Sequence, residues 1–380
     1  MSSPSALSPA LPGRAERPRG SGAPRRRGPR PLALHLALAA ASGDPAGRLP
    51  ARFLAGLQAY WRHPYRRCLA EPPTLWSAGS TRLLDYGPPG GVPLLTVPSL
   101  INRAYILDLA PGRSLLRHLA GQDLRPLLVD WGAPGPRERR MTLDGYVMER
   151  LTAALAAARR AGGRPPLLLG YCMGGLLATA LAARRPGEIA GLALLATPWD
   201  FHAGATTPAL RALLAAAARA GGLLGGLPVE LIQSLFAGID PLAVARKFAG
   251  FGELDPDSPQ ARSFVAIEDW ANDGVPLGAE VAQDCLLGWY GHNRPARGRW
   301  LIGGEAVAPE RIALPCLVAI PTRDRIVPPA SAAALAARLP RATLLRPAGG
   351  HVGMVVGGDA ERQLWTPLAA WLRRIAAMQD

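Results

Sequence analysis

Lysine is almost absent from this chain of 380 residues, since Lys247 is the only lysine among its 43 lysine and arginine residues. Acidic side chains are scarce as well, so the formal net charge is +15. This balance favours an anionic partner, such as nucleic acid, a membrane or granule surface, or a phosphorylated substrate, although a bias towards arginine explains it equally well. Apart from a cluster before residue 31, the arginines are scattered and form no recognisable nucleic-acid-binding module, so we predict no nucleic-acid partner.

Cysteine is also rare, and its four copies lie far apart. Cys68, Cys172, Cys285 and Cys316 include no C-x-x-C pair, so neither a zinc site nor a disulfide framework is indicated. This cysteine usage fits a reducing compartment. We therefore predict a cytoplasmic protein without a bound metal or cofactor.

The sequence contains no convincing membrane-spanning run. The uncharged segment 165–183 approaches spanning length, but its two prolines and its glycines predict a buried strand, a tight turn and a buried helix instead. Residues 31–43 follow an arginine cluster and resemble a short secretory signal, but His35 interrupts the apolar stretch. We therefore expect neither a signal peptide nor a transmembrane segment.

The patterns that remain divide the chain into three regions. Residues 1–30 are mainly proline, arginine, glycine and serine, which cannot offset the entropy of ordering, and predict a disordered basic tail. Residues 31–70 are an N-terminal helical segment, because apolar residues recur at helical spacing between Ala51 and Trp61. Residues 71–380 read as one α/β domain with a helical insertion at about 200–312, where the strand rhythm is lost.

Within residues 71–380, short apolar runs alternate with longer helical ones. This alternation predicts a mostly parallel central sheet, flanked by helices and joined by right-handed crossovers. The insertion then lies as a cap over the carboxyl edge of the sheet, where open α/β sheets bind ligands. The predicted strands are Leu94–Val97, Leu127–Trp131, Leu167–Tyr171, Leu192–Thr197, Leu317–Pro321 and Thr343–Arg346.

The segment Gly170–Gly175, with the sequence GYCMGG, lies between a predicted strand and a helix rich in alanine and leucine. It has the pattern of the nucleophile elbow of the α/β-hydrolase fold, G-x-S-x-G, with cysteine in place of serine. Its small residues allow the strained turn that lifts the nucleophile above the sheet at a helix N-terminus. Since buried cysteines are common in any fold, the function of Cys172 depends on its partners.

A cysteine nucleophile needs a base, and the base needs a group that orients it. In the α/β-hydrolase fold an acid and then a histidine follow the nucleophile along the chain. Asp324 comes just after a late predicted strand, and His351 lies in a glycine-flanked loop after the last one. No other histidine follows a late strand in this way. We therefore predict a catalytic triad of Cys172, His351 and Asp324.

The same fold predicts where an oxyanion would be stabilised. One donor is the backbone N–H of Met173, directly after the nucleophile. A second donor comes from the loop after the strand that ends at Val97, which makes Ser99, Leu100 or Ile101 the candidates. Loss of one such donor typically lowers the rate by about a hundredfold or more.

With these residues assigned, the chain resembles the polyhydroxyalkanoate synthase family from about Leu94 to Gly357. The cysteine-bearing segment Gly170–Gly175 and the histidine loop Gly350–Gly357 are similar to the catalytic segments of that family. Further likeness, in the same order along the chain, is found in Val97–Leu109, Leu127–Pro134, Thr197–Phe201 and Asp269-Trp270 with Asp273.

The resemblance implies an acyltransferase of polyester biosynthesis. Cys172 attacks the thioester of a (R)-3-hydroxyacyl-CoA, His351 acts as general base, and Asp324 orients His351. CoA thioester is then a substrate rather than a cofactor, and the acyl group joins a growing polyester chain. A polyester granule surface, a second copy of the chain and a partner synthase subunit are the macromolecular partners that this interpretation leaves open.

The sequence departs from the family at two motif positions and in length. Arg325 stands where family members often carry histidine, and Ala271 stands where asparagine commonly follows the cap tryptophan. The N-terminal region is also much shorter than in long single-subunit synthases. These departures concern polymerisation more than acyl-enzyme chemistry, so a thioesterase, esterase or polyester depolymerase is the alternative function. A non-catalytic protein that adheres to a surface through its basic tail is a further alternative.

Overall fold

The computed structural model describes residues 26–44, 46–204 and 208–379, and the predicted tail up to residue 25 lies outside these ranges. A single large sheet forms the centre of the described chain. Its strands are β1 (Thr74–Ala78), β2 (Thr81–Asp85), β3 (Val92–Val97), β4 (Leu124–Asp130), β5 (Leu167–Tyr171), β6 (Leu192–Leu195), β7 (Cys316–Ala319) and β8 (Ala342–Leu345).

These strands lie side by side in the order β1-β2-β4-β3-β5-β6-β7-β8. The six neighbouring strands β4, β3, β5, β6, β7 and β8 are parallel, whereas β1 and β2 form an antiparallel edge next to β4. All residues of β5 and β6 are buried, as expected for parallel strands covered on both faces. Side chains alternate between two cores, since Leu168 belongs to one apolar cluster and Leu169 to the other.

Helices cover both faces of this sheet and form the cap. Thr142 caps one of them, because its hydroxyl accepts a hydrogen bond from the amide of Gly145 at 3.1 Å. The helices are α1 (Leu32–Ala40), α2 (Arg48–Arg62), α3 (Leu115–Ala120), α4 (Leu143–Gly145), α5 (Thr152–Gly162), α6 (Met173–Arg184), α7 (Pro208–Leu223), α8 (Val229–Ala237), α9 (Ala243–Phe251), α10 (Pro259–Ala271), α11 (Ala279–Gln283), α12 (Pro329–Ala336), α13 (Gly353–Val356) and α14 (Thr366–Ala377), with π-helical turns at Tyr146–Leu151, Asp284–Gly291 and Glu361–Trp365.

The predicted mostly parallel α/β fold is confirmed, and the six predicted strands correspond to β3–β8. The antiparallel pair β1–β2 was not predicted. Strand β1 is largely exposed at the edge of the sheet, so it lacks the continuous apolar run that marks the inner strands.

The chain between β6 and β7 contains helices α7–α11 and occupies the region for which the sequence predicts a cap. It is not purely helical, because two short antiparallel pairings interrupt it. Gly226–Leu227 pairs with Leu277–Gly278, and Leu301–Ile302 pairs with Glu305–Ala306. Pairings of two residues are too short to produce the alternation by which strands are recognised in a sequence.

The N-terminal helices belong to the same layer as the cap. Helix α2 packs against α9. At their contact the ring of Phe248 meets Phe53 and Tyr60 edge-on, with ring centroids 6.0 and 5.3 Å apart. Aromatic pairs in this geometry contribute beyond the area that they bury. The segment before β1 is thereby fixed to the cap through an apolar cluster of its own.

Residues 26–30 correct the prediction of a disordered tail that extends to residue 30. The Arg26 side chain is 3% exposed, and its guanidinium donates to the Asp269 carboxylate at 2.8 Å. It also donates to the backbone carbonyls of His63 and Tyr65 at 2.5 and 2.6 Å. The composition of this segment is that of a disordered chain, but these polar contacts hold its end in place.

Candidate active site

A strained turn joins β5 to α6 and places Cys172 at its tip. Cys172 has φ 56° and ψ −128°, a conformation that L-residues rarely adopt. Its own amide donates to the carbonyl of Leu195 in the neighbouring strand β6 at 2.9 Å. The backbone is thus held while the thiol, which is partly exposed, projects above the carboxyl edge of the sheet.

The glycines around Cys172 are required by close packing. A Cβ at Gly174 would lie 2.1 Å from the carbonyl oxygen of Val97, and a Cβ at Gly175 would lie 1.8 Å from the hydroxyl of Thr197. A Cβ at Gly170 would lie 2.5 Å from the Cα of Gly175. All three distances are too short for any side chain. The sharp, sterically crowded turn predicted from the GYCMGG pattern is therefore present.

The predicted acid and histidine also lie at the carboxyl edge, after β7 and β8. Nδ1 of His351 donates to Oδ2 of Asp324 at 2.7 Å. The other carboxylate oxygen of Asp324 accepts from the amides of Ile326 and Val327 at 2.8 and 2.9 Å. Because both carboxylate oxygens are engaged and both side chains are buried, the orientation of the imidazole is fixed.

The side chain of His351 lies next to that of Cys172, and both line the same cavity. Burial alone would lower the pKa of His351, but the charge of the Cys172 thiolate and the contacts with Asp324 raise it to about 10. An imidazolium beside a thiolate is the arrangement that favours the nucleophilic form of a cysteine. The structure thus brings the side chains of Cys172, His351 and Asp324, the three predicted residues, together at one edge of the sheet.

Tyr171, the residue before the nucleophile, is a contact that the sequence analysis missed. Its hydroxyl donates to the backbone carbonyl of His351 at 3.3 Å, and the two rings lie 5.2 Å apart. Full burial is the main reason that the pKa of Tyr171 is raised well above its ordinary value, so this hydroxyl stays protonated and can donate. In the sequence, the only sign of this contact is that the residue before the cysteine is aromatic.

The predicted oxyanion donors lie on two segments next to Cys172. The amide of Met173 is in the first turn of α6, where an N–H has no acceptor within the helix. In the loop after β3, Ser99 and Ile101 line the cavity above the cysteine, whereas the side chain of Leu100 packs into the core. The amide of Ile101 already donates to the hydroxyl of Ser99 at 3.1 Å. The amide of Ile101, one of the three predicted loop donors, is therefore already used within the loop.

Cys172 and His351 open into a cavity of about 380 Å³ between the sheet edge and the cap. The tryptophan of the predicted cap motif, Trp270, lines it, and its indole N–H donates to the carbonyl of Arg103 at 2.8 Å. Arg325 lies at the cavity too and pairs with Asp240 of the cap at 2.9 Å. The remaining lining is mostly apolar and includes Ile106, Phe236, Val244, Ile267, Ala271, Ile326 and Val352.

Neither a metal site nor a membrane-spanning helix was found in the described parts of the chain. No three histidine, cysteine or carboxylate side chains there come together as a metal site would require. None of the helices there combines the length and the apolar character needed to cross a membrane.

The sheet order, the cysteine elbow after β5, and the acid and histidine after β7 and β8 define a protein of the α/β-hydrolase fold. The alpha/beta hydrolase fold family matches residues 93–220. Among solved structures, the monoacylglycerol lipase of Paleococcus ferrophilus has a TM-score of 0.50 at 18% identity, over 78% of this chain and 99% of the lipase. A bromoperoxidase of Bacillus anthracis has a TM-score of 0.50 at 14% identity, over 77% of this chain and 95% of its own. These likenesses concern the fold alone.

Relatives of closer sequence define the family. The poly(3-hydroxyalkanoate) polymerase subunit PhaC of Allochromatium vinosum is 30% identical over 293 residues, which cover 74% of this chain and 80% of the relative. The corresponding subunit of Haloferax mediterranei is 29% identical over 74% of this chain, but the match spans only 58% of that relative. The subunit of Thiocystis violacea is 27% identical over 78% of this chain and 86% of its own length. This chain belongs to the poly(3-hydroxyalkanoate) polymerase family.

Proposed function

We propose that this protein is an acyltransferase that moves (R)-3-hydroxyacyl groups from CoA thioesters to a growing polyester. The observation that carries the proposal is the proximity of Cys172 to His351, which is hydrogen-bonded to Asp324, at the base of a largely apolar cavity. Family membership supports the choice of substrate, since the relatives are named as poly(3-hydroxyalkanoate) polymerases.

The first half of the reaction transfers the acyl group to the enzyme. The thiolate of Cys172 attacks the thioester carbonyl, and the oxyanion that forms is held by the amide of Met173 and an amide of the loop after β3. The bond between the carbonyl carbon and the CoA sulfur then breaks. The imidazolium of His351 donates its proton to the departing sulfur, and the acyl group remains as a thioester on Cys172.

In the second half, His351 is neutral and accepts the proton of an incoming 3-hydroxyl group. The hydroxyl oxygen attacks the thioester on Cys172, an ester bond forms, and the cysteine leaves as a thiolate. Asp324 keeps Nδ1 of His351 protonated throughout, so the other ring nitrogen is available for both proton transfers. A cysteine nucleophile suits this exchange, because its acyl-enzyme is about as activated as the CoA substrate.

The alternative is hydrolysis on the same site, with water in place of the hydroxyl group. Purified protein incubated with 3-hydroxybutyryl-CoA distinguishes the two when free CoA and insoluble polyester are followed together. We expect both to form with the native chain and neither with Cys172→Ala. Cys68→Ala, which removes an exposed cysteine away from the cavity, is the matched control and should retain activity.

Release of CoA with only monomeric 3-hydroxybutyrate would assign the protein as a thioesterase. Full activity of Cys172→Ala would show that Cys172 is not the nucleophile and would refute both the transfer and the hydrolysis mechanisms proposed for this site. The proposed product also motivates a location at granule surfaces in the cytoplasm, because an insoluble polyester stays with the enzyme that extends it. A requirement for a second copy would appear as an activity per molecule of protein that rises with protein concentration. A requirement for a partner subunit would appear as activity only when that subunit is added.

A further inference from the structure

The cavity above Cys172 is lined by four cationic side chains that the chemistry proposed for the cysteine does not use. They are Arg30, Arg103, Lys247 and Arg325. Arg325 marks an outer end of the cavity, because its side chain is 78% exposed, whereas His351 at the base is buried. A ligand whose reactive end reaches Cys172 therefore passes cationic groups on its way out to solvent.

Three of these cations are each matched by a carboxylate of their own. The ion pairs are Lys247 with Glu268 at 2.7 Å, Arg30 with Glu230, and Arg103 with Asp273 at 3.8 Å. Because each pair consists of one positive and one negative charge, its field largely cancels a short distance away. These three cations therefore give the cavity little excess charge.

Arg325 differs, because it shares its carboxylate with a second arginine. Nη1 of Arg325 donates to Oδ2 of Asp240 at 2.9 Å, and Nη2 of Arg246 in α9 donates to Oδ1 at 2.6 Å. Within the described parts of the chain, Asp240 is the only carboxylate with which either arginine forms an ion pair. Two positive charges thus meet one negative charge, and the group of three side chains has a net charge of +1.

Both guanidiniums of this group keep donors that Asp240 does not use. A guanidinium has five N–H donors, and each of these two arginines bonds to Asp240 through a single nitrogen. The side chains of Arg246 and Arg325 are 53% and 78% exposed, whereas that of Asp240 is 24% exposed. The carboxylate therefore holds two accessible, partly free guanidiniums close together. Planar guanidiniums bind phosphate oxygens through paired N–H donors, so this arrangement suits a phosphate group.

We propose that Arg246 and Arg325, positioned by Asp240, bind phosphate groups of CoA at the outer end of the cavity. The inference rests on the proposed function, in which a CoA thioester brings the acyl group to Cys172. In CoA the long pantetheine arm separates the sulfur from the phosphates. When the thioester carbonyl reaches Cys172, the phosphates therefore lie towards solvent, where the cationic group is exposed.

The position of Arg325 in the chain supports this arrangement. Arg325 directly follows Asp324, whose carboxylate accepts the hydrogen bond from Nδ1 of His351. The phosphate-binding group and the catalytic residues thus lie at the same edge of the sheet. Arg246 and Arg325 are specificity residues in this proposal, since they favour a CoA thioester over a thioester without phosphate and do not touch the reacting atoms.

Binding to Cys172→Ala protein, the parent for all variants, tests the site without turnover. The probes are 3-hydroxybutyryl-CoA and 3-hydroxybutyryl-pantetheine, which has the same thioester and arm but no phosphate. Arg246→Gln and Arg325→Gln each leave Asp240 with one arginine, so no carboxylate loses its last cation. We expect each variant to bind the CoA thioester about fivefold more weakly, the size expected for one exposed charge pair, while binding of the pantetheine thioester stays within about twofold.

Arg262→Gln is the matched control, because it removes an exposed cap arginine outside the cavity lining and should change neither affinity. A melting temperature close to that of the parent shows that each variant folds. Equal weakening of both thioesters, an unchanged affinity for the CoA thioester in either variant, or an equal loss in the control would overturn the phosphate site. Binding of the CoA thioester that depends on both arginines, in a native protein that releases no CoA, would instead reject the proposed function and retain the site.

Discussion

Replacing Cys172 with alanine is expected to lower the pKa of His351. In the native chain this pKa is raised from 6.5 to about 10, and the charge of the Cys172 thiolate is the leading contribution that opposes burial. The alanine variant removes that charge. Asp324 alone then counteracts the lowering of this pKa by burial, so the imidazolium becomes easier to deprotonate.

The size of the change follows from the contact between the two side chains. Opposite charges about 4 Å apart in a medium of effective dielectric constant about 20 attract by about 4 kcal/mol. One pKa unit corresponds to about 1.4 kcal/mol, so loss of the thiolate lowers the pKa of His351 by about 3 units. Starting from about 10, the group should titrate close to pH 7 in the variant.

The measurement is an NMR titration of protein with ¹³C-labelled histidine rings, in the native chain and in Cys172→Ala. The spectrum of His351→Gln identifies the resonance of His351. Cys285→Ala, which removes a buried cysteine that is not part of the cavity lining, serves as the control and should leave the titration unchanged. The same pKa in the native chain and in Cys172→Ala would refute the thiolate–imidazolium pair.

Three further predictions concern the acid, the elbow and the N-terminal anchor. Asp324→Asn should lower turnover by about 10³–10⁴-fold in the CoA-release assay, because an amide nitrogen facing Nδ1 favours the wrong tautomer of the histidine. Gly174→Ala should prevent folding or strongly lower the melting temperature, whereas Gly222→Ala, where a Cβ has open space, should leave it unchanged or slightly raised. Arg26→Met should lower the free energy of unfolding by about 1–3 kcal/mol, because Asp269 loses its cation but keeps the hydrogen bond from Tyr60, and should speed proteolysis before α1.

The inner sheet and the chemistry at its edge were predictable because their signals are local. Strand β5 is buried at every position, so its five apolar or small residues stand out in the sequence. The glycines of the elbow are dictated by contacts within a few residues and by the ends of β3 and β6, the two strands that flank β5. Once Cys172 was assigned, the fold restricted the positions of the acid and the base, which left Asp324 and His351 as the candidates.

The parts that were not predicted depend on contacts between distant segments. Arg26 finds its partners in residues 37, 39 and 243 positions away, and no local composition reveals them. Lys247 and Glu268 meet because two cap helices pack, and His35 joins them from the N-terminal segment. The edge strand β1 was missed for a different reason, since its exposed side chains carry no periodic signal.

The N-terminal segment supplies part of the cavity wall, namely Pro29, Arg30 and His35. Residues 26–31 are only arginine, glycine and proline, so no large apolar side chain fixes them by packing. A buried guanidinium with three acceptors does so instead, because each donor of Arg26 that enters the interior meets a carboxylate or a backbone carbonyl. Helix α1 begins directly after this anchor and carries His35 to the cavity. The shape of that wall is therefore coupled to an arginine that lies outside the cavity lining, and Arg26→Met should loosen the wall as well as the fold around it.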